Sequence, residues 1–169
     1  MVSPGGIFVK APDLRNGMAA SLFTIGYQET PLADVIDALK RAKVKILVDT
    51  RAVAASRRAG FSKKALSAAL DEAGIAYLHF QKLGTPAEGR EAARSGNYDK
   101  LWKIYGKHIK TKAAQDELAE LNKLVEARRK VCLLCYERKP EECHRSKIAE
   151  LVAEETGAKI VDLFPGHFI

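Results

Sequence analysis

Long hydrophobic runs are missing from this chain of 169 residues. No apolar stretch approaches the roughly 18 residues needed to span a bilayer, so no membrane span is expected. The opening Met1-Val-Ser-Pro-Gly-Gly-Ile-Phe-Val-Lys10 lacks the charged start and extended apolar core of a secretory signal, and a cytoplasmic location is the expectation. Cysteine is scarce: three residues, an odd number with no C-x-x-C pair, argue against a disulfide framework and fit a reducing compartment. One Trp and five Tyr, none interleaved with the basic clusters, disfavour recognition of single strands by stacking. There is no G-x-G-x-x-G, no Walker pattern and no Ser/His/Asp arrangement, and no cofactor is expected. Neither a fixed-period repeat nor a low-complexity tract is present.

Acidic residues are the scarcer charge. With 28 Lys and Arg against 21 Asp and Glu, the net charge of +7 favours an anionic partner, either a small molecule or nucleic acid. The same excess also arises on lysine-rich helix surfaces.

Strands and helices alternate along the chain. Residues 1–20, rich in Pro and Gly, read as an N-terminal arm in which Ile7 to Val9 can pair as an edge strand. Residues 21–169 read as a single α/β domain. Strands are expected at Leu22–Ile25, Ile46–Val48, Ile75–Phe80, Val131–Cys135 and Lys159–Leu163. Helices are expected from Pro31, after Ser62, over 98–109, over 113–128 and from Pro140 to about Glu155. This order predicts a three-layer α/β sandwich: a mostly parallel central sheet of about five strands with helices on both faces. The long polar segment from Gln81 to Asp99, in which Glu88 to Arg94 can make a helical turn, reads as a binding loop or lid that brings Gly84, Thr85 and Arg90 over the sheet edge.

The chemistry concentrates where the fourth strand meets the last helix, at Val131-Cys-Leu-Leu-Cys-Tyr-Glu-Arg-Lys-Pro-Glu-Glu-Cys-His-Arg-Ser146. In an α/β sheet this is the edge where ligands bind. His144 and Arg145 precede Ile148 by four and three residues, so they extend the buried stripe of the helix toward that edge. Arg145 is a candidate clamp for an anion, joined by Arg51 after the second strand. Helix N-termini and cationic neighbours lower a thiol's pKa, which makes Cys135 or Cys143 a candidate nucleophile, or the two a redox pair, with His144 as acid/base. The competing structural reading makes both cysteines small buried hydrophobes and Arg145 a partner of Asp49 or Glu137. Cys132 reads as core, and His79 as a satisfied structural histidine rather than a catalyst. No metal is expected, because the spacing matches no zinc cassette.

The motifs Thr24-Ile-Gly26, Val48-Asp-Thr-Arg51, Ser56 through Gly60-Phe-Ser62, Leu83-Gly84, Leu134-Cys-Tyr-Glu137 and Cys143-His-Arg145 resemble the family catalogued as domain of unknown function 488. The resemblance covers about residues 22 to 164, and Cys-His-Arg is its most specific part. It implies a small cytoplasmic α/β protein and adds Thr24, Gly26 and Asp49 to the site. The chain departs from the family where Gly26-Tyr27-Gln28 replaces a frequent Gly-His-Ser, and where Ala52 replaces a frequent proline. More distantly, the plan is similar to rhodanese and cysteine phosphatases, although Cys135 and Arg145 are too far apart for a Cys-x5-Arg loop.

Two functions follow. One is a cysteine-dependent transferase or hydrolase acting on a phosphate- or sulfur-containing anion. The other is a nucleotide or nucleic-acid binding module without chemistry, built on Arg57, Arg58, Lys63, Lys64, Arg128, Arg129 and Lys130.

Overall fold

The structure is a computed structural model that describes residues 19–166. Residues 1–18 of the arm, with the expected edge strand at Ile7–Val9, lie outside the described residues. Five strands, β1 (Ser21–Gly26), β2 (Ile46–Asp49), β3 (Ala76–His79), β4 (Val131–Cys135) and β5 (Lys159–Leu163), form one sheet in the order β3-β2-β4-β1-β5. Every pairing is parallel. The helices are α1 (Leu32–Arg41), α2 (Lys63–Glu72), α3 (Ala87–Arg94), α4 (Tyr98–His108), α5 (Lys112–Glu126) and α6 (His144–Thr156). The three-layer α/β sandwich is thus the observed architecture. Among the described residues no helix is long and apolar enough to cross a membrane.

Alternation along each strand divides the core in two. Leu22, Ile46, Val48, Val131 and Leu133 pack under α4, α5 and α6 through Tyr105, Leu118, Leu121, Val125, Ile148 and Val152. Phe23, Ile25, Leu47, Cys132 and Leu134 pack on the opposite face under α1 and α2 through Val35, Leu39, Leu66 and Leu70. The central strand β4 is buried at all five residues, as its unbroken apolar run requires when both faces are covered. Cys132 is accordingly core.

This division locates the crevice. The chain leaves β1 for α1 on one face and leaves the adjacent β4 for α6 on the other, with Gly26 paired to Cys135 at their carboxyl ends. Adjacent strands whose connections run to opposite faces open a gap between their ends, the usual ligand position in such sheets.

Two expectations need correction. The segment 81–99 is not an open lid: it folds into a 3-10 turn at Gln81–Leu83 followed by α3, which packs along α4. Gly89 is the point of closest approach, facing Thr85, Leu101 and Ile104. The last helix does not begin at Pro140. A 3-10 turn covers Pro140–Glu142, Cys143 is extended (φ −126°, ψ 142°) as the N-cap, and α6 starts at His144. The break directs Cys143 inward, toward the end of β4.

Candidate thiol site at the carboxyl edge

Cys135 ends β4 on the α6 face, in phase with Val131 and Leu133. The extended backbone at Cys143 brings its sulfur to the same place, and the two Sγ atoms meet in a disulfide across eight residues of chain. Both cysteines are 2% exposed. His144, half-buried at the first position of α6, turns its Nδ1 toward Cys143 Sγ at 3.8 Å. Its Nε2 lies 2.8 Å from the Thr50 carbonyl. A carbonyl only accepts, so Nε2 carries the proton and Nδ1 presents its lone pair to the sulfurs. Burial, with Arg145 adding to it and the Thr50 bond opposing it, pushes the imidazole pKa down to about 4, so the ring is neutral at physiological pH. Tyr105 closes the other side with its ring 5.5 Å from that of His144, its hydroxyl donating to the Leu83 carbonyl at 2.7 Å.

Arg145 is fully buried, as its place on the Ile148 stripe requires, and its donors point into the fold. It donates to Cys135 Sγ at 3.4 Å, to the Glu137 carbonyl and to the Arg138 carbonyl at 3.1 Å. Asp49 and the Glu137 carboxylate are therefore not its partners: it holds the backbone of the loop after β4. Among the described residues no carboxylate lies within ion-pair distance of it.

Arg51 stands on the other face of the sheet, because Asp49 is in phase with Leu47 and faces α1 and α2. Its guanidinium grips Asp49 through two bonds, at 2.9 and 2.7 Å, and donates to Tyr27 Oη and the Phe61 carbonyl. Tyr77 Oη completes the cluster by donating to Asp49 at 2.5 Å. Tyr27, the residue in place of the family's frequent histidine, stacks on Phe61 at 4.3 Å. The two arginines expected to share an anion are thus separated by the sheet; the terminal nitrogens of Arg145 are engaged while its Nε has no partner among the described residues.

The remaining candidates shape the edge. At Gly26 a Cβ would fall on the Glu137 carbonyl, and at Gly84 it would lie 2.7 Å from Ala52 Cβ, so both glycines permit neighbouring loops to touch. Thr24, buried within β1, donates to Asp162 Oδ1 of β5 at 2.5 Å. Arg90 folds back onto the Thr85 carbonyl at 3.0 Å. His79 is held by the Arg51 carbonyl at 2.7 Å, a structural role. Beside it a surface hollow of about 320 Å³, lined by Ala52 to Ala55, Lys63, His79 and Gln81, opens on the β2–β3 side.

The basic residues do not form one stripe. Arg57, Arg58, Lys63 and Lys64 follow β2 at the carboxyl edge, whereas Arg128, Arg129 and Lys130 precede β4 at the amino edge. Sequence reasoning missed Thr50 and Tyr105, which orient His144. A backbone carbonyl gives no sequence signal, and Tyr105 reads as one apolar position of a helix.

The family model described as Domain of unknown function DUF488 matches residues 31–152, and the chain belongs to that family. The match includes the Asp49–Arg51 pair and the Cys135–Arg145 site; Thr24 and Gly26 lie before it. No curated protein and no solved structure matches the chain.

Proposed function

We propose that this family member is a cysteine-dependent transferase acting at sulfur, with Cys135 as nucleophile and Cys143 as resolving thiol. The observation that carries the reading is the convergence of both sulfurs beside the Arg145 guanidinium at the crevice between β1 and β4. A cation donating to a sulfur favours its thiolate. A second thiol within bonding reach is useful when the first has accepted a sulfur atom, and it has no comparable use after phosphoryl transfer or hydrolysis. The guanidinium forks of Arg51 and Arg145 are also directed at protein acceptors rather than at a phosphate. Exposed Arg57 and Lys63 attract an anionic donor by long-range steering.

The Cys135 thiolate attacks the outer sulfur of an anionic donor of the thiosulfonate class. The donor S–S bond breaks, the sulfinate leaves with the electron pair, and Cys135 carries a persulfide. An acceptor thiol then takes the sulfur. Alternatively, the Cys143 thiol displaces hydrosulfide from Cys135 to form the disulfide, which an external dithiol reduces. His144, neutral and held by Thr50, accepts a hydrogen bond from the Cys143 thiol through Nδ1, and the thiol proton leaves with the hydrosulfide.

The test is incubation of the reduced protein with a thiosulfonate, followed by intact-mass and peptide analysis. A persulfide on Cys135 that accumulates in Cys143→Ser and is absent from Cys135→Ser supports the reading. Unmodified Cys135 in every variant, with the donor unconsumed, overturns it. The binding-module reading instead requires nucleic-acid affinity that falls steeply with salt.

A further inference from the structure

We infer that, when reduced, Cys135, Cys143 and His144 form a three-ligand site for a zinc-like divalent metal ion, with one coordination position left open. The two thiols are those of the transfer reaction, so metal-bound and sulfur-accepting forms are alternative states of one site, and the metal inference stands without the transfer reading.

Three geometric observations carry it. The donor atoms of the three residues all lie within 4.8 Å of one another. The Cα atoms of Cys135 and Cys143 are 7.4 Å apart, whereas direct sulfur–sulfur bonding usually accompanies about 4.4–6.8 Å, with a mode near 5.5–6 Å. Two thiolates bound tetrahedrally at about 2.3 Å from zinc stand about 3.8 Å apart, roughly 1.7 Å more than bonded sulfurs, which moves the expected Cα separation to about 7.2–7.7 Å. In the reduced protein the backbone spacing thus suits two thiolates meeting at a third atom. The Nδ1 to Cys143 Sγ distance of 3.8 Å is close to the roughly 3.6 Å expected of a nitrogen and a sulfur on one tetrahedral ion.

The surroundings match a metal centre as well. His144 gives its Nε2 proton to the Thr50 carbonyl, the outer-shell bond that fixes a ligating histidine's tautomer and ring plane, and this leaves Nδ1 free to bind. Arg145 donates to Cys135 Sγ and so stabilises a ligating thiolate. Two thiolates neutralise a divalent ion, so the buried Arg145 charge remains and favours an anion at the open position. Cys132 cannot supply a fourth ligand because it packs on the opposite face of the sheet. Three protein ligands with an open fourth position resemble catalytic rather than structural zinc sites.

The experiment titrates the fully reduced, metal-free chain with Co2+ and follows thiolate-to-metal charge-transfer absorption. Circular dichroism monitors the fold, and competition with Zn2+ follows. Saturation at one ion per chain is expected, with tetrahedral d–d bands, displacement by Zn2+ and release of both thiol protons. The bands should disappear in Cys143→Ser. Affinity should fall by about 10–100-fold or more in His144→Gln, and Cys132→Ser should bind like the parent. A folded, reduced parent without charge-transfer bands overturns the inference. So does binding that Cys143→Ser and His144→Gln leave unchanged, or that Cys132→Ser abolishes. None of these readouts uses a sulfur donor, so failure here leaves the transfer assay to be judged separately.

Discussion

Replacing Arg145 with methionine should destabilise the reduced protein and raise the Cys135 pKa together. Arg145 supplies donors to two loop carbonyls, Glu137 and Arg138, and to Cys135 Sγ. Each carbonyl left without a donor in a buried loop costs about 1–3 kcal/mol, or roughly 2–6 kcal/mol for the pair. Against this, the parent keeps a fully buried guanidinium with no carboxylate in contact among the described residues, and burial pushes the Arg145 pKa down. An apolar side chain of similar length removes that desolvation cost. The balance leaves a loss of about 2–4 kcal/mol. At about 2–4 °C per kcal/mol for a chain of this size, Tm should fall by roughly 5–15 °C. Calorimetry under reducing conditions measures the first effect, and residue-resolved alkylation across pH measures the second, with the Cys135 profile moving to higher pH. Lysine at this position should rescue only part of the stability, because one ammonium cannot reach both carbonyls in the guanidinium's fork geometry. A methionine variant within 2 °C of the parent (about 1 kcal/mol or less) and an unmoved alkylation profile would together refute the role assigned to Arg145.

Gly26→Ala should cost about 1–3 kcal/mol in chemical denaturation, because the added Cβ meets the Glu137 carbonyl and the loop must move. Tyr77 donates to the Asp49 carboxylate, and burial together with that carboxylate raises its pKa. Its folded form therefore holds the proton above the unfolded value of about 10, and this stabilisation is lost as pH rises beyond about 10. Tyr77→Phe should flatten the alkaline fall in stability and lower stability at neutral pH by about 1–2 kcal/mol; a fall of unchanged steepness would assign it to other groups. Cys132 is fully buried and its pKa is raised by that burial, so it should resist alkylation until the protein unfolds. Reaction of Cys132 in the folded state at a rate like that of Cys135 would contradict its place in the core.

The strands were legible because short apolar runs are bounded by turn residues: β4 and β5 match their expected limits at both ends. The inward position of Arg145 was also legible, since it follows from three-residue spacing to Ile148. What the sequence could not supply was the relation between faces. Alternation fixes which residues of a strand share a face, but only sheet order and register show that Asp49 and Cys135 point to opposite sides. The expectation of one anion held by two arginines failed for that reason. Helix α3 was legible only as a helical turn at Glu88 to Arg94, and its packing was not legible. Its buried positions are Gly89 and Ala92, small residues whose role is close contact with α4, so it has no apolar stripe to detect. The extended backbone at Cys143 was hidden because Pro140, Glu141 and Glu142 all suit a helical first turn.

No carboxylate among the described residues contacts Arg145, although Asp162, Glu137 and Glu141 act on it at longer range, so a thiolate beside the guanidinium adds the nearest counter-charge. Reduction can place a thiolate on Cys135, 3.4 Å from the guanidinium, whereas oxidation removes that charge and leaves Arg145 only the longer-range carboxylates. The electrostatics therefore favour the reduced site, against the loop-closure entropy that favours the disulfide. Closing a loop across eight residues is worth about 2.5 kcal/mol on the chain-entropy scale. In the parent, adding a reductant should lower stability by clearly less than that. In Arg145→Met, which has no cation to neutralise, the same reductant should cost nearly the full amount. Denaturant midpoints of both proteins in both redox states form a closed cycle, and its coupling isolates the pairing of guanidinium with thiolate. An equal cost of reduction in the two proteins would mean that Arg145 serves the loop carbonyls alone, and the thiolate at Cys135 would then need another source of stabilisation.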